Sequence, residues 1–403
     1  MVGSSSRTSP GWPLFANSFR PFFLLAALQT GPSVVFWLVA FHHQVPIPTT
    51  FIPLDWHIHE MLFGFLPAVI TGFLFTAIPN WTGRLPIRGA PLVVLAMVWL
   101  AGRLAVTFSG YIGWIPAMVV DAAFLTLFAA AATREIVAGA NWRNLRVISL
   151  VMALLIANIW FHLEEHFQGN ADYSLRFGIS SVLLLICLIG GRIIPSFTRN
   201  WLVRENPGRL PTPFSRFDGA TLALSALVLL AWVIDPASMI TGAGMVLAGI
   251  AHVVRLARWA GDRTGRERLV LILHVAYAFV PIGFLLTAAS VFGSVPVSAG
   301  IHAWTAGAAG TMTLAVMTRA SLGHTGQTLS ASVATHVIYV AIVVAALARI
   351  AAALMSSHTE PMFHIAAFGW AIAFLGYAVA YGPLLVGSRW RALAIARPPA
   401  KRS

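Results

Sequence analysis

Residues 269–291 read LVLILHVAYAFVPIGFLLTAASV, with Arg263, Arg266 and Arg268 just ahead of them. The run holds no charged side chain, and its apolar residues leave no polar face. A surface helix of a soluble protein keeps such a face. A membrane-barrel strand is about 10 residues of alternating character. The run is therefore read as an α-helix crossing a bilayer, which takes about 20 apolar residues. Similar runs recur at about 19–41, 57–79, 89–108, 113–133, 147–166, 174–196, 217–235, 237–259, 298–319, 328–354 and 362–386. With the first, placed at 268–291, that makes twelve. The expected fold is all-α: a polytopic membrane protein with 12 transmembrane helices. A twelve-helix membrane domain at 19–388 lies between tails at 1–18 and 389–403.

Composition excludes the alternatives. Apolar residues are 58% of the 403, charged ones 10%, and mean hydropathy is +0.80. A soluble fold could not hide that much apolar surface, and ordinary globular chains carry about 25% charge. The net charge is +13, but the basic residues are dispersed, so nucleic acid is not an expected partner and the lipid bilayer is. The first eleven residues, rich in Ser and Gly, read as disordered and lack the apolar core of a signal peptide. Cys187 is the one cysteine, which excludes a disulfide, a cysteine metal site and CxxCH attachment of haem.

Charge placement gives the orientation. With the N-terminus inside, all but four of the 26 Lys and Arg residues fall on cytoplasmic segments; the exceptions are Arg103, Arg176, Arg192 and Arg349. The outer loops hold none. Basic residues stay on the cytoplasmic side, so both termini are expected there. A shift of 243 residues lays His59 on His302, Gly64 on Gly307, Thr82 on Thr325 and Gly83 on Gly326. Phe197-Thr198-Arg199 on helix 6 echoes Met317-Thr318-Arg319 on helix 10. Helices 2, 6 and 10 are four apart, which suggests three arcs of four helices.

Thirteen histidines are many for so apolar a chain. An ionisable side chain in a bilayer costs a few kcal/mol unless paired or ligating. Imidazole in such a setting best serves haem and copper; zinc lacks its usual thiolates. Trp56-His57-Ile58-His59-Glu60-Met61 opens helix 2. Positions i and i+2 lie about 200° apart on a helix, so His57 and His59 are read as serving different cofactors, unless both simply sit at headgroup level. His302 opens helix 10 at the same depth, followed by small residues (Ala303, Ala306, Gly307, Ala308, Ala309, Gly310). Those leave room for a flat macrocycle or for close helix packing. His59 and His302 are the expected pair on one haem, with Glu60 behind them and His57 turned elsewhere.

His162 and His166 flank Glu164 and Glu165 in a weak H-x-x-E-H match. A solvated helix end explains them as well as a copper site does. On the inner side stand His252, His274, His324 and His336. His274 precedes Tyr277 by one turn, and Ser321-Leu322-Gly323-His324-Thr325-Gly326 is expected to be a turn. Together the four are read as a second metal site or proton path, singly as structural histidines. The candidate metal ligands are thus His57, His59, His302, His274, His324 and His162. Arg20, Arg192 and Arg319, near the inner ends with Asn80, Arg199 and Asn200, are candidate partners of haem propionates, or else snorkel.

Five stretches resemble the NnrS family: Phe19-Arg20-Pro21-Phe22-Phe23-Leu24, the H-x-H-E-M-L-F-G-F block from His57 to Phe65, Pro79-Asn80-Trp81-Thr82-Gly83-Arg84, Gly190-Gly191-Arg192-Ile193-Ile194-Pro195 and Met317-Thr318-Arg319 through Gly326. The resemblance spans helices 1 to 10. It implies a twelve-helix protein of the bacterial inner membrane carrying haem and copper, linked to nitric oxide metabolism and resistance to nitrosative stress. A more distant likeness is to the haem–copper oxidase and nitric oxide reductase superfamily, but there the His-x-His is on helix 10, and helices 6 and 7 carry histidines that are missing here. The expectations are non-covalent haem b and copper, with NO as the small ligand. One reading is reduction of NO at paired metal centres, with electrons from quinol or a donor protein. The other is a non-enzymatic NO sensor, scavenger or transporter.

Overall fold

The computed structural model describes residues 13–387; the tail calls at 1–12 and 389–403 lie outside them. Among the described residues the regular structure is helical throughout. The long helices are α1 (Phe19–His43), α2 (Pro53–Thr82), α3 (Ala90–Thr107), α4 (Trp114–Ala138), α5 (Leu145–Gln168), α6 (Asp172–Glu205), α7 (Arg216–Ile234), α8 (Met239–Ala257), α9 (Arg268–Val291), α10 (297–325), α11 (Val333–Leu354) and α12 (Thr359–Val386). Eleven helices are long and apolar enough to cross a membrane. Among the described residues, the long helix that misses that hydropathy is α10, whose Gly, Ala and Thr content lowers it; α10 is packed inside the bundle.

Local chemistry sets the ends. Ser215 and Asp218 form a capping box at the start of α7, and the Ser332 hydroxyl accepts from Thr335 N at the start of α11. Gly83 and Gly326 stop α2 and α10 with φ of 70° and 77°, a left-handed conformation that glycine adopts without strain. Two expectations need correction. The stretch 321–326 is no turn: Gly323 is helical, Thr325 Oγ1 donates to Ser321 O at 2.6 Å, and α10 continues until Gly326. Helix α6 runs to Glu205, not to about 196, because Thr198 and Leu202 stay buried one turn apart.

Consecutive neighbours pack in three runs: α11–α12–α1–α2, α3–α4–α5–α6 and α7–α8–α9–α10. Their last members, α2, α6 and α10, meet around an apolar cavity of about 80 Å³ between Leu66, Ile186 and Met312. These contacts accord with three arcs of four, and α6–α7 and α10–α11 pack across the arc boundaries as well. Small residues let helices approach in the absence of a hydrophobic drive between them: Gly178 of α6 sits against Leu62 and Phe63 of α2, and Gly310 of α10 against Trp370 of α12. The 243-residue repeat also has a local counterpart. Directly after His59 and directly after His302, α2 and α10 widen into a π-helical turn, at Glu60–Phe65 and Ala303–Gly310. Such turns are rare and concentrate at functional sites.

Candidate metal centre and cofactor cavity

Two ligand sets lie on either side of the first turns of α2. On one side is a cavity of about 400 Å³, walled by α1, α2, α6, α10, α11 and α12. That volume lies within the range of ligand pockets. His57 and His302 both line it, among largely apolar neighbours such as Trp37, Met61, Phe65 and Trp370. The His57 ring stacks on Trp37, with centres 4.2 Å apart, and its Nδ1 is buried without a partner. His302 Nδ1 lies 2.7 Å from Ser298 O. A carbonyl only accepts, so Nδ1 carries the proton and Nε2 keeps its lone pair. A metal-bound histidine is typically held in this way. Arg349 of α11 also lines the cavity. Its guanidinium sits 4.7 Å from the centre of the Phe363 ring, and it makes no ion pair or hydrogen bond among the described residues.

On the other side, His59 (α2), Asp121 (α4) and His162 (α5) converge, all buried, with ligand atoms within 4.8 Å of one another. Asp121 Oδ2 is 3.2 Å from Nε2 of each histidine. The imidazole centres are 4.9 Å apart. Two imidazoles on one ion at metal–nitrogen bonds near 2.0–2.1 Å put their centres about 5 Å apart. Arg103 of α3 donates to Glu60 Oε1 at 2.6 Å and also to Asp121 Oδ1. Gln29 Nε2 donates to the second Glu60 oxygen at 2.8 Å. Asn158 Oδ1 faces His59 Nε2 at 3.0 Å. Two carboxylates against one guanidinium leave one negative charge, which a protonated imidazole or a bound cation can balance. His59 Nδ1 and Asn158 Nδ2 are buried without partners. A bound cation would supply that charge with both imidazoles neutral and free to ligate.

The H-x-H-E-M-L-F-G-F block thus has a use at nearly every position. Glu60 anchors Arg103. Met61 Sδ accepts from Thr30 Oγ1 at 3.4 Å. Phe63 packs on the His59 ring, and Phe65 on Trp370 and Phe374. Gly64 must lack a side chain, because a Cβ there would lie 2.5 Å from Arg103 Nη1.

The i, i+2 spacing turns His57 and His59 to different sides of α2. Their allotment is reversed, since His302 shares its cavity with His57 and not with His59. Of the small residues after His302, Ala306 lines the cavity, while Gly307 and Gly310 accommodate Phe279 and Trp370. Beside His162, two other residues of the H-x-x-E-H stretch have local partners. Glu164 accepts from Tyr173 N, Ser174 N and Ser174 Oγ at the start of α6, and His166 stacks on Trp114.

The inner histidines are not brought together. His274 Nε2 bonds Thr198 Oγ1 at 2.8 Å rather than Tyr277. His252 is fully engaged between Tyr277 OH and Ser225 Oγ, at 2.9 and 2.8 Å, and Arg255 donates to that same tyrosine oxygen. His324 is exposed beside Phe19, and exposed His336 bonds its own helix at Ser332 O. Arg20 donates to the carbonyls of Leu385 and Gly387, Arg192 to Asn144 Oδ1, and Arg319 lies over the Phe197 ring. None of the three lines the cavity.

Residues 13–389 match the NnrS protein family. The chain belongs to the NnrS family. Membership places it among membrane proteins associated with nitric oxide. No curated protein matches the chain. Histidine count and spacing alone point to His57 and His59. Asp121, Arg103, Asn158 and Arg349 escaped that reading. The signal for two of them was in the charge map: Arg103 and Arg349 are among the four basic residues that the orientation leaves unexplained. A charge inside a membrane run marks a functional position by default.

Proposed function

We propose that the chain is a haem- and copper-binding protein of nitric oxide metabolism in a bacterial inner membrane, both termini cytoplasmic, and that it reduces NO at paired metal centres. One observation carries the reading: a single turn of α2 aims His57 into a cavity with His302 and His59 into a buried cluster with Asp121 and His162. The donor sets fit the two groups. Histidine nitrogens with a free lone pair, an apolar wall and an unpaired arginine suit a haem whose propionates need a cation. Two imidazoles and a carboxylate suit copper. When bound, haem and copper supply one-electron redox chemistry and affinity for NO.

The chain's own part is to hold and insulate. The Ser298 carbonyl fixes the tautomer of His302, and Trp37 fixes the plane of His57. Arg349 offers positive charge within the cavity. Arg103 clamps Asp121 and Glu60, and Gln29 holds Glu60 from behind. The apolar walls keep water from either site. Two NO plus two electrons and two protons balance to one nitrous oxide and one water. The electrons come from quinol or a donor protein.

A second reading draws on the same cavity. If His57 and His302 both held the one haem, its iron would be closed to NO, as suits a haem protein that is not an NO reductase. Purified protein, with haem and copper quantified, is reduced anaerobically and given NO. Nitrous oxide formed in catalytic amounts supports the first reading. A haem spectrum unmoved by NO, with no nitrous oxide, overturns it in favour of the second.

A further inference from the structure

A second cluster of metal-ligating side chains stands at the same end of the bundle, outside both sites. His42 closes α1, while Glu360 and His364 lie one turn apart on α12. Their three ligand atoms are within 4.8 Å of one another. The imidazole centres are 5.5 Å apart, close to the separation of about 5 Å that two imidazoles on one ion require. His42 Nδ1 stands 3.9 Å from Glu360 Oε1. That is too long for a hydrogen bond, yet it suits two ligands that each reach about 2.0–2.1 Å to a shared ion. His364 Nδ1 lies 2.9 Å from Glu360 O, so it must donate there, and the lone pair stays on Nε2. His42 Nε2 is buried without a hydrogen-bond partner, and Nδ1 is the nitrogen that faces Glu360. The Glu360 side chain is 70% exposed, so an ion can enter from solvent and keep water ligands.

We propose that His42, Glu360 and His364 bind a transition-metal dication at the rim of the cavity. Phe363, beside His364, lines that cavity, and Phe41, beside His42, stacks on Trp37 of its wall. Two imidazoles and a carboxylate select zinc, nickel or copper over magnesium or calcium, which prefer all-oxygen sites.

The test is a calorimetric titration of the full chain in detergent, cofactors in place, with zinc as the probe. The expected result is one equivalent bound, weakened at least about tenfold in both H42A and H364A, and unchanged in H336A and H358A. Magnesium is expected not to compete. Haem absorbance and copper content should stay as in the parent protein, so this site stands or falls separately from the proposed function. No zinc bound by the parent protein, or binding by H42A and H364A as tight as the parent's, overturns the proposal.

Discussion

Arg103 and Glu60 form a buried ion pair, Nη1 to Oε1, at 2.6 Å, and the same guanidinium reaches Asp121. Arg103→Leu therefore strands two carboxylates in a dry site. Breaking one side of a buried pair costs about 3–5 kcal/mol. The melting temperature should fall sharply. R103L/E60Q, which removes one stranded charge, should recover part of the loss. Equal melting of R103L and the parent protein would show that the charges are not coupled.

Haem retention distinguishes the two histidines of α2. His57→Ala and His302→Ala are expected to lose the same absorption band, and His59→Ala to keep it while losing the other metal. Pyridine haemochrome and elemental analysis read both. The opposite pattern, with His59 and His302 sharing a band, would restore the allotment expected from the repeat.

Arg349 gives a prediction with two signs. Arg349→Leu removes an unpaired cation, so the haem-free protein should gain about 1 kcal/mol of stability. Its affinity for haem should fall, since a propionate loses its partner. Thermal melts of haem-free and haem-loaded protein check both signs. A loss of stability in both forms would mean that the arginine is structural.

Gly64 and Gly83 separate packing from backbone effects. Gly64→Ala drives a methyl into Arg103 and should cost about 1–3 kcal/mol, with loss of the metal at the His59 cluster. Gly83→Ala meets no atom within 4 Å but keeps φ at 70°. Its cost should be about 1 kcal/mol, with both sites intact. Metal analysis beside a melting curve distinguishes the two.

Much of the architecture was legible in the sequence. Apolar runs mark helices because a bilayer allows nothing else of that length, and the expected bounds of α9, 268–291, agree with those observed. The spacing of His57 and His59 gave their divergence, since the angle between them is fixed by helix geometry. Which of them faces His302 was not legible. That depends on how α2 is rotated about its axis, and the rotation is set by contacts such as Trp37 on His57 and Phe63 on His59. Asp121 and Asn158 were hidden for a related reason. They are single polar residues on α4 and α5, and only the packing of the second arc against α2 brings them to His59.

The π-helical turns at Glu60–Phe65 and Ala303–Gly310 have a consequence for how the sites can vary. Each turn accommodates more chain per revolution than the α-helix around it. Deleting one residue within either turn would let it tighten to α geometry with the flanks nearly on their present bearings, because a π turn holds about one residue more than an α turn for the same rotation. Tightening without a deletion would instead swing everything ahead of the turn by about 100° relative to the rest of the helix. On α2 that swing would carry His57 and His59 off their present bearings together. On α10 it would turn His302 away while leaving the lower half in place. The two loosened turns act as alignment settings, dialled independently on two hub helices, and the bearing of His302 relative to His57 rests on both.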